Sequence, residues 1–266
     1  MSSNPSSSPP PPVLRERLPG VLQLSINVPA NRNSLSSPGV LEGLLAGLDE
    51  LEADPDLRCA ILTGAGGSFC SGGDLRQLAG QPEERTRALM EGNAGLYRRL
   101  AACEKPVIAA VDGAAFGAGL GLALACDLVV AGASARFCCA FVRVGAMPDA
   151  GLFHTLPARV GIARARQLML FADELGAADA LAIGLADRAV ESGSALPAAV
   201  EWATRIAGGP PLAQARIKAG LAAGPMSLEE ALAYQLRHAP ALFASRDFKE
   251  GAGAFFEKRK PVFRGQ

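Results

Sequence analysis

The chain has 266 residues, 49% of them hydrophobic, with 26 basic and 26 acidic residues, so its formal net charge is zero. That length and apolar content suffice for one sizeable α/β domain, or a domain with a small appendage, without disulfide or metal staples. Zero net charge gives no bulk field to attract nucleic acid or an anionic membrane, so a polyanionic ligand needs a local basic site.

Met1 to Pro12 is rich in Ser and Pro and lacks the positive and apolar regions of a secretory signal, so it is expected to be a disordered leader. Val21 to Val28 alternates apolar and polar residues, which predicts a half-buried strand ended by Pro29. A loop is expected over Ala30 to Ser37. Pro38 then opens a predicted helix whose stripe is Leu41, Leu44, Leu45, Leu48 and Leu51. Leu57 to Thr63 predicts a short buried strand, Pro82 to Ala102 a helix, Val107 to Val111 a second buried strand, and Leu128 to Ala131 a third. Beyond residue 160 the pattern turns helical, with helices expected at 161–172, 176–183, 195–207, 210–222, 227–244 and 246–258 and one strand at 185–190. Strand and helix alternate first and helices gather last, the order of an α/β core with a helical C-terminal region.

Two glycine-rich segments each follow a predicted buried strand. Gly64 to Gly73 holds five glycines and two serines around Phe69 and Cys70, and Gly113 to Gly121 runs on into an apolar helix. Such turns permit unusual backbone angles and leave amides open. A pair of them can aim two N–H groups at one developing oxyanion, each donor worth on the order of 3 kcal/mol. The helix starting near Gly117 adds its partial positive charge. Tight turns and close packing without chemistry remain the alternative for either segment taken alone.

The run Ile61-Leu62-Thr63-Gly64-Ala65-Gly66-Gly67-Ser68-Phe69-Cys70-Ser71-Gly72-Gly73-Asp74-Leu75 resembles the first signature of the enoyl-CoA hydratase/isomerase, or crotonase, family. Lys105 to Gly119 resembles the second. The likeness extends to Cys126-Asp127-Leu128-Val129-Val130-Ala131, to Val144 to Gly151, and to Asp247 to Gly251 with Phe255 to Pro261. It implies an α/β fold, the crotonase (ClpP/crotonase-like) ββα spiral, with a spiral core over 13–199 and a C-terminal helical trimerisation region over 200–266. It further implies a homotrimer or dimer of trimers acting on an acyl-CoA thioester.

Carried over position by position, the resemblance puts the oxyanion amides at Gly73 and Ala118. It puts the CoA and substrate contacts at Arg32, Ser71, Gly73, Asp74, Leu75, Arg76, Ala118 and Phe141. Arg32 is otherwise a solvated loop charge. Lys260 and Phe263 resemble residues that reach the CoA of a neighbouring subunit, or else form an exposed helix end. Asp74 and Asp127 read as structural carboxylates that hold loops.

Hydratases of this family use two glutamates to hold a water and exchange its protons. Here the two positions are Gly121 and Phe141, and neither residue moves a proton. One carboxylate remains, Asp149 in Met147-Pro148-Asp149-Ala150-Gly151, where certain isomerase-like members carry their acid/base. A single carboxylate suits double-bond isomerisation, and burial beside Phe141 and Met147 is expected to raise its pKa. The alternative is that Asp149 caps a helix beginning near Ala150. His154 is more ordinary as packing or surface than as chemistry. The expected activity is therefore enoyl-CoA isomerisation. Hydratase-like, hydrolase or lyase chemistry, or a catalytically poor acyl-CoA- or RNA-binding relative, stand as alternatives.

No metal and no cofactor are implied beyond CoA, which arrives with the substrate. Neither nucleic acid nor a membrane is an expected partner, because glycine and charge interrupt the apolar runs. The six cysteines sit mostly in apolar runs with no C-x-x-C pair, as reduced thiols of a cytoplasmic protein do.

Overall fold

A computed structural model describes residues 10–266. The leader expected over 1–12 lies outside the described residues except for Pro10 to Pro12, and Pro12 is tied down, its carbonyl accepting the Asn27 amide at 2.7 Å.

The chain begins with an antiparallel hairpin, β1 (Val13–Leu18) and β2 (Val21–Ile26). β1 was not anticipated, because Arg15, Glu16 and Arg17 hide its strand character. The two arginines pair with Glu50 of helix α1 (Val40–Ala53) and with Asp54, which caps its C-terminal end. β3 (Cys59–Gly64) follows, then the short α2 (Leu75–Leu78) and the long α3 (Glu83–Ala102). Next come β4 (Val107–Val111), β5 (Ala114–Phe116), α4 (Ala118–Leu124), β6 (Leu128–Gly132) and β7 (Arg136–Cys138). α5 (Leu152–Phe171), β8 (Leu175–Gly176), α6 (Ala177–Ala182) and β9 (Arg188–Val190) complete the alternating part.

The strands form two sheets, one of six in the order β1-β2-β3-β4-β6-β9 and one of three in the order β5-β7-β8. From β2 to β9 the large sheet is parallel. Two turns of the chain, β4-β5-α4 and β6-β7-α5, each lay a strand in the large sheet, a short one in the small sheet, and then a helix. This is the expected ββα spiral. The short strands β5 and β7 were missed because three residues are too few to show alternation.

Successive turns are clasped in register by the same device. Asp127 donates its amide to the Val107 carbonyl at 2.8 Å and accepts the Val107 amide on its carboxylate at 2.7 Å. Asp187 does the same with Val129, at 2.8 and 2.7 Å. Each aspartate thereby supplies an acceptor that the start of a strand otherwise lacks.

The parallel strands are buried on both faces, which is why they read as continuous apolar runs. Ile61, Ile108 and Val130 face α7 (Ala195–Ala207), whose Ala195, Ala199 and Ala203 let it lie close against the sheet. Leu62, Ala109 and Val129 face the larger core with Leu120, Leu122 and Phe137. α7 runs across the expected boundary at 199/200 and packs on the sheet. α8 (Pro211–Ala222), α9 (Leu228–Ala244) and α10 (Arg246–Glu257) follow it. The predicted helix at 161–172 is the second half of α5, which starts at Leu152 and is broken at Gly161. The predicted strand at 185–190 shortens to β9, since Leu185 and Ala186 turn back to bond the Ala180 carbonyl.

Candidate active site

The first glycine turn is held from behind by the loop after β2. Asn33 is fully buried there; its side chain accepts the Val28 amide at 2.9 Å and donates to the carbonyls of Ala65 and Ser68 at 2.8 and 2.6 Å. Sequence reasoning passed over Asn33, although an Asn able to adopt a left-handed backbone (φ 55°) is the available signal. The Gly72 carbonyl accepts both the Leu35 amide, at 2.9 Å, and the Ser34 hydroxyl, at 2.8 Å. A trans peptide points its N–H opposite its C=O, so this double anchor turns the Gly73 amide away from the loop.

The second turn faces the first. A Cβ on Gly72 would stand 2.7 Å from the Phe116 carbonyl and 3.0 Å from the Ala118 nitrogen, and one on Gly119 would run into the Cys70 carbonyl. Glycine is what allows the two backbones to meet. The Gly117 carbonyl accepts the Gly121 amide at 3.2 Å, which directs the Ala118 N–H outward from the start of α4. Among the described residues, neither the Gly73 nor the Ala118 amide donates a hydrogen bond.

A cleft of about 350 Å³ opens beside the first turn, lined among others by Arg32, Ser71, Gly73, Asp74, Leu75 and Arg76. Six of the residues expected at the CoA and substrate site thus share one wall. Asp74 begins α2 and accepts the Arg76 amide at 3.0 Å and the Arg76 guanidinium at 3.1 Å; the Arg76 contacts hold its carboxyl below the usual range. Ala118, Phe141 and Asp149 do not line this cleft; Ala118 adjoins it through its contact with Gly72.

Asp149 sits in a turn pressed against the second turn of α4. A Cβ on Gly121 would overlap the Ala150 Cβ and lie 2.7 Å from the Ala150 carbonyl. The turn is strained into the left-handed region at Ala150 (φ 54°) and Gly151 (φ 74°). Asp149 does not cap α5: the N-cap is Gly151, with no side-chain capping bond. Instead Oδ1 of Asp149 is buried without a hydrogen-bond partner among the described residues. Burial holds its carboxyl above the usual value, a bond from its own backbone offsetting this in part. Met147 does not contribute that burial as expected, being 70% exposed. Phe141 packs over Gly117, 3.8 Å from where its Cβ would be. His154 is exposed on α5. Asp127 serves the strand clasp and pairs with Lys218 at 2.8 Å. Among the described residues no group of three or more His, Cys, Asp or Glu is placed to hold a metal ion.

A two-sheet ββα spiral with open amides from two facing glycine turns defines the crotonase class of acyl-CoA enzymes. The sequence signature of the enoyl-CoA hydratase/isomerase family matches residues 16–266. A probable enoyl-CoA hydratase of Rhodobacter capsulatus is 40% identical over 251 residues, covering 93% of this chain and 95% of that one. The 1,2-epoxyphenylacetyl-CoA isomerase of Escherichia coli is 35% identical over 252 residues, covering 93% and 96%. A crystal structure of an enoyl-CoA hydratase from Polaromonas sp. JS666 superposes with a TM-score of 0.90 at 32% identity, covering 94% of this chain and 99% of that one. The chain belongs to the enoyl-CoA hydratase/isomerase family. It is accordingly an acyl-CoA enzyme.

Proposed function

We propose that this enzyme shifts the double bond of an enoyl-CoA, with Asp149 as the single acid/base and the Gly73 and Ala118 amides as the oxyanion hole. The observation that carries the reading is the buried, unpartnered carboxylate oxygen of Asp149 beside a Gly121 that has no room for a side chain. A buried carboxylate oxygen without a partner is costly, and such cost concentrates at functional sites.

For a 3-enoyl thioester, Asp149 takes a proton from C2. The electron pair spreads over C2 to C4 and onto the thioester oxygen, which the two amides receive as charge develops. The same carboxyl then returns the proton to C4, so no water and no second base enter the balance. A raised pKa makes the carboxylate a stronger base for the removal step and narrows its gap from the weakly acidic C2–H. Arg32, Ser71 and the Asp74 to Arg76 segment would hold the CoA portion, which comes with the substrate, and Phe141 would cover the acyl chain. A homotrimer and a cytoplasmic location belong to the same proposal; all six cysteines are buried, which suits a reducing compartment.

Hydration is the second reading, favoured by relatives bearing hydratase names, such as the 2,3-dehydroadipyl-CoA hydratase of Escherichia coli at 36% identity. Incubating the enzyme with 3-enoyl-CoA and with 2-enoyl-CoA separates the two. Isomerisation is expected with hydration slower by orders of magnitude, and Asp149→Asn is expected to lower isomerisation by about 10² to 10⁴. Hydration without a bond shift, or an Asp149→Asn enzyme as active as wild type, sinks the isomerase reading.

A further inference from the structure

The first turn of α4 carries an open amide without the devices that ordinarily fix a helix start. Its N-cap is Gly117 (φ 53°, ψ −121°), which has no side chain to offer, and α4 itself reads Ala-Gly-Leu-Gly-Leu-Ala-Leu, with no polar side chain. A capping side chain is worth about 1 kcal/mol, but it would consume an amide that has to face the substrate. Glycines at 117, 119 and 121 leave the backbone permissive where direction matters. Gly121 is braced by Ala150 from the second turn onward. At the front of the helix the Gly117 amide is held by the Cys138 carbonyl at 3.0 Å, and the next residue, Ala118, takes a side-chain brace from outside.

Tyr97 reaches that place. It lies between Leu96 and Leu100, the two buried residues that anchor α3 in the core. Its hydroxyl donates to the Ala118 carbonyl at 3.3 Å, and among the described residues it is the single side chain that bonds the backbone of residues 117–120. Burial raises the phenol well above its ordinary pKa, so the group keeps its proton and stays a donor.

We propose that Tyr97 is a positioning residue whose phenol clamps the Ala118 carbonyl and so aims the Ala118 amide at the thioester oxygen. The inference rests on the oxyanion role given above to Gly73 and Ala118. Tyr97 touches no reacting atom; it acts through the helix start that it holds.

Tyr97→Phe keeps the ring and its packing and removes the hydroxyl alone. The probe is 2,4-hexadienoyl-CoA, whose absorption moves to longer wavelength when its thioester carbonyl is polarised, whether or not a proton moves. Wild type is expected to give the red shift, Asp149→Asn to keep it, and Tyr97→Phe to reduce it. For 3-enoyl-CoA isomerisation, kcat in Tyr97→Phe is expected to fall about fivefold, the equivalent of one ordinary hydrogen bond, with KM within about twofold. The acidic limb of the pH profile stays where Asp149 sets it. A full red shift in Tyr97→Phe overturns the proposal, whether the rate is intact or falls together with the melting temperature, because the latter marks a merely structural role. A wild type with no red shift overturns the oxyanion reading and this inference together. An active Asp149→Asn enzyme with the red shift intact sinks the isomerase base alone.

Discussion

Asp149 concentrates the cost of the site. A carboxyl whose pKa is raised by burial is bound as the neutral acid more readily in the folded than in the unfolded chain. The folded state is therefore penalised as pH climbs from the ordinary carboxylate value through the raised one, and the penalty is complete above both. Asp149→Asn removes the charge and leaves the shape. It is expected to raise the melting temperature at neutral pH while lowering isomerisation as stated above, and the gain should vanish at a pH below the ordinary carboxylate range. Calorimetry at two pH values checks this, and an equal or lower melting temperature at neutral pH would show that the carboxylate is not under strain. The rate of the wild-type enzyme should rise with pH through the same raised value, since the carboxylate form begins the reaction. At this scale Gly121 is as informative as Asp149. Its glycine reads in the sequence as a lost glutamate, whereas the fold makes it a seat for Ala150, so a glutamate cannot simply be put back.

Asp127 and Asp187 belong to the scale of elements. Each stands one residue before a strand or its approach and joins its own turn of the spiral to the one before, by the same pair of bonds to Val107 and Val129. Asp187 also meets Arg159 of α5 at 3.0 Å. Asp187→Ala leaves the Val129 amide without its side-chain acceptor and takes from Arg159 its carboxylate partner, the Asp127 carbonyl at 2.9 Å remaining. A loss of about 2 kcal/mol is expected in denaturant unfolding, with little change in KM because none of the clasp residues lines the cleft. A shift under about 0.5 kcal/mol would mean that water replaces both bonds. The helices that the pattern placed best, α3, α7, α8, α9 and α10, are those whose periodicity is long enough to read. β5 and β7, with three residues each, owe their existence to pairing with each other and with β8. A strand of that length has no signal of its own, because its partners are distant in the chain.

On the scale of the molecule, the C-terminal helices leave large apolar side chains in solvent, including Leu236 at 77%, Phe255 at 78% and Phe256 at 81%. Scattered apolar residues need no explanation, but rings stacked edge-on, as Phe255 is on Phe256, form a patch. The proposed homotrimer would cover it. Sedimentation is expected to give three chains per particle, and Phe255→Asp with Phe256→Asp to shift the protein toward monomer; a wild type that is monomeric at micromolar concentration removes that part of the proposal. The sequence by itself determined the family and the two glycine turns, because these are local runs whose order and spacing survive without coordinates. It also singled out Asp149. Only the tertiary structure decided what surrounds that aspartate: that it caps nothing, that Met147 turns away from it, and that Ala150 occupies the space beside Gly121. The same holds for Asn33 behind the first turn and Tyr97 above the second. Each of these depends on segments that meet only when successive turns of the spiral stack, and the distance between two segments of a chain is set by the fold of everything between them.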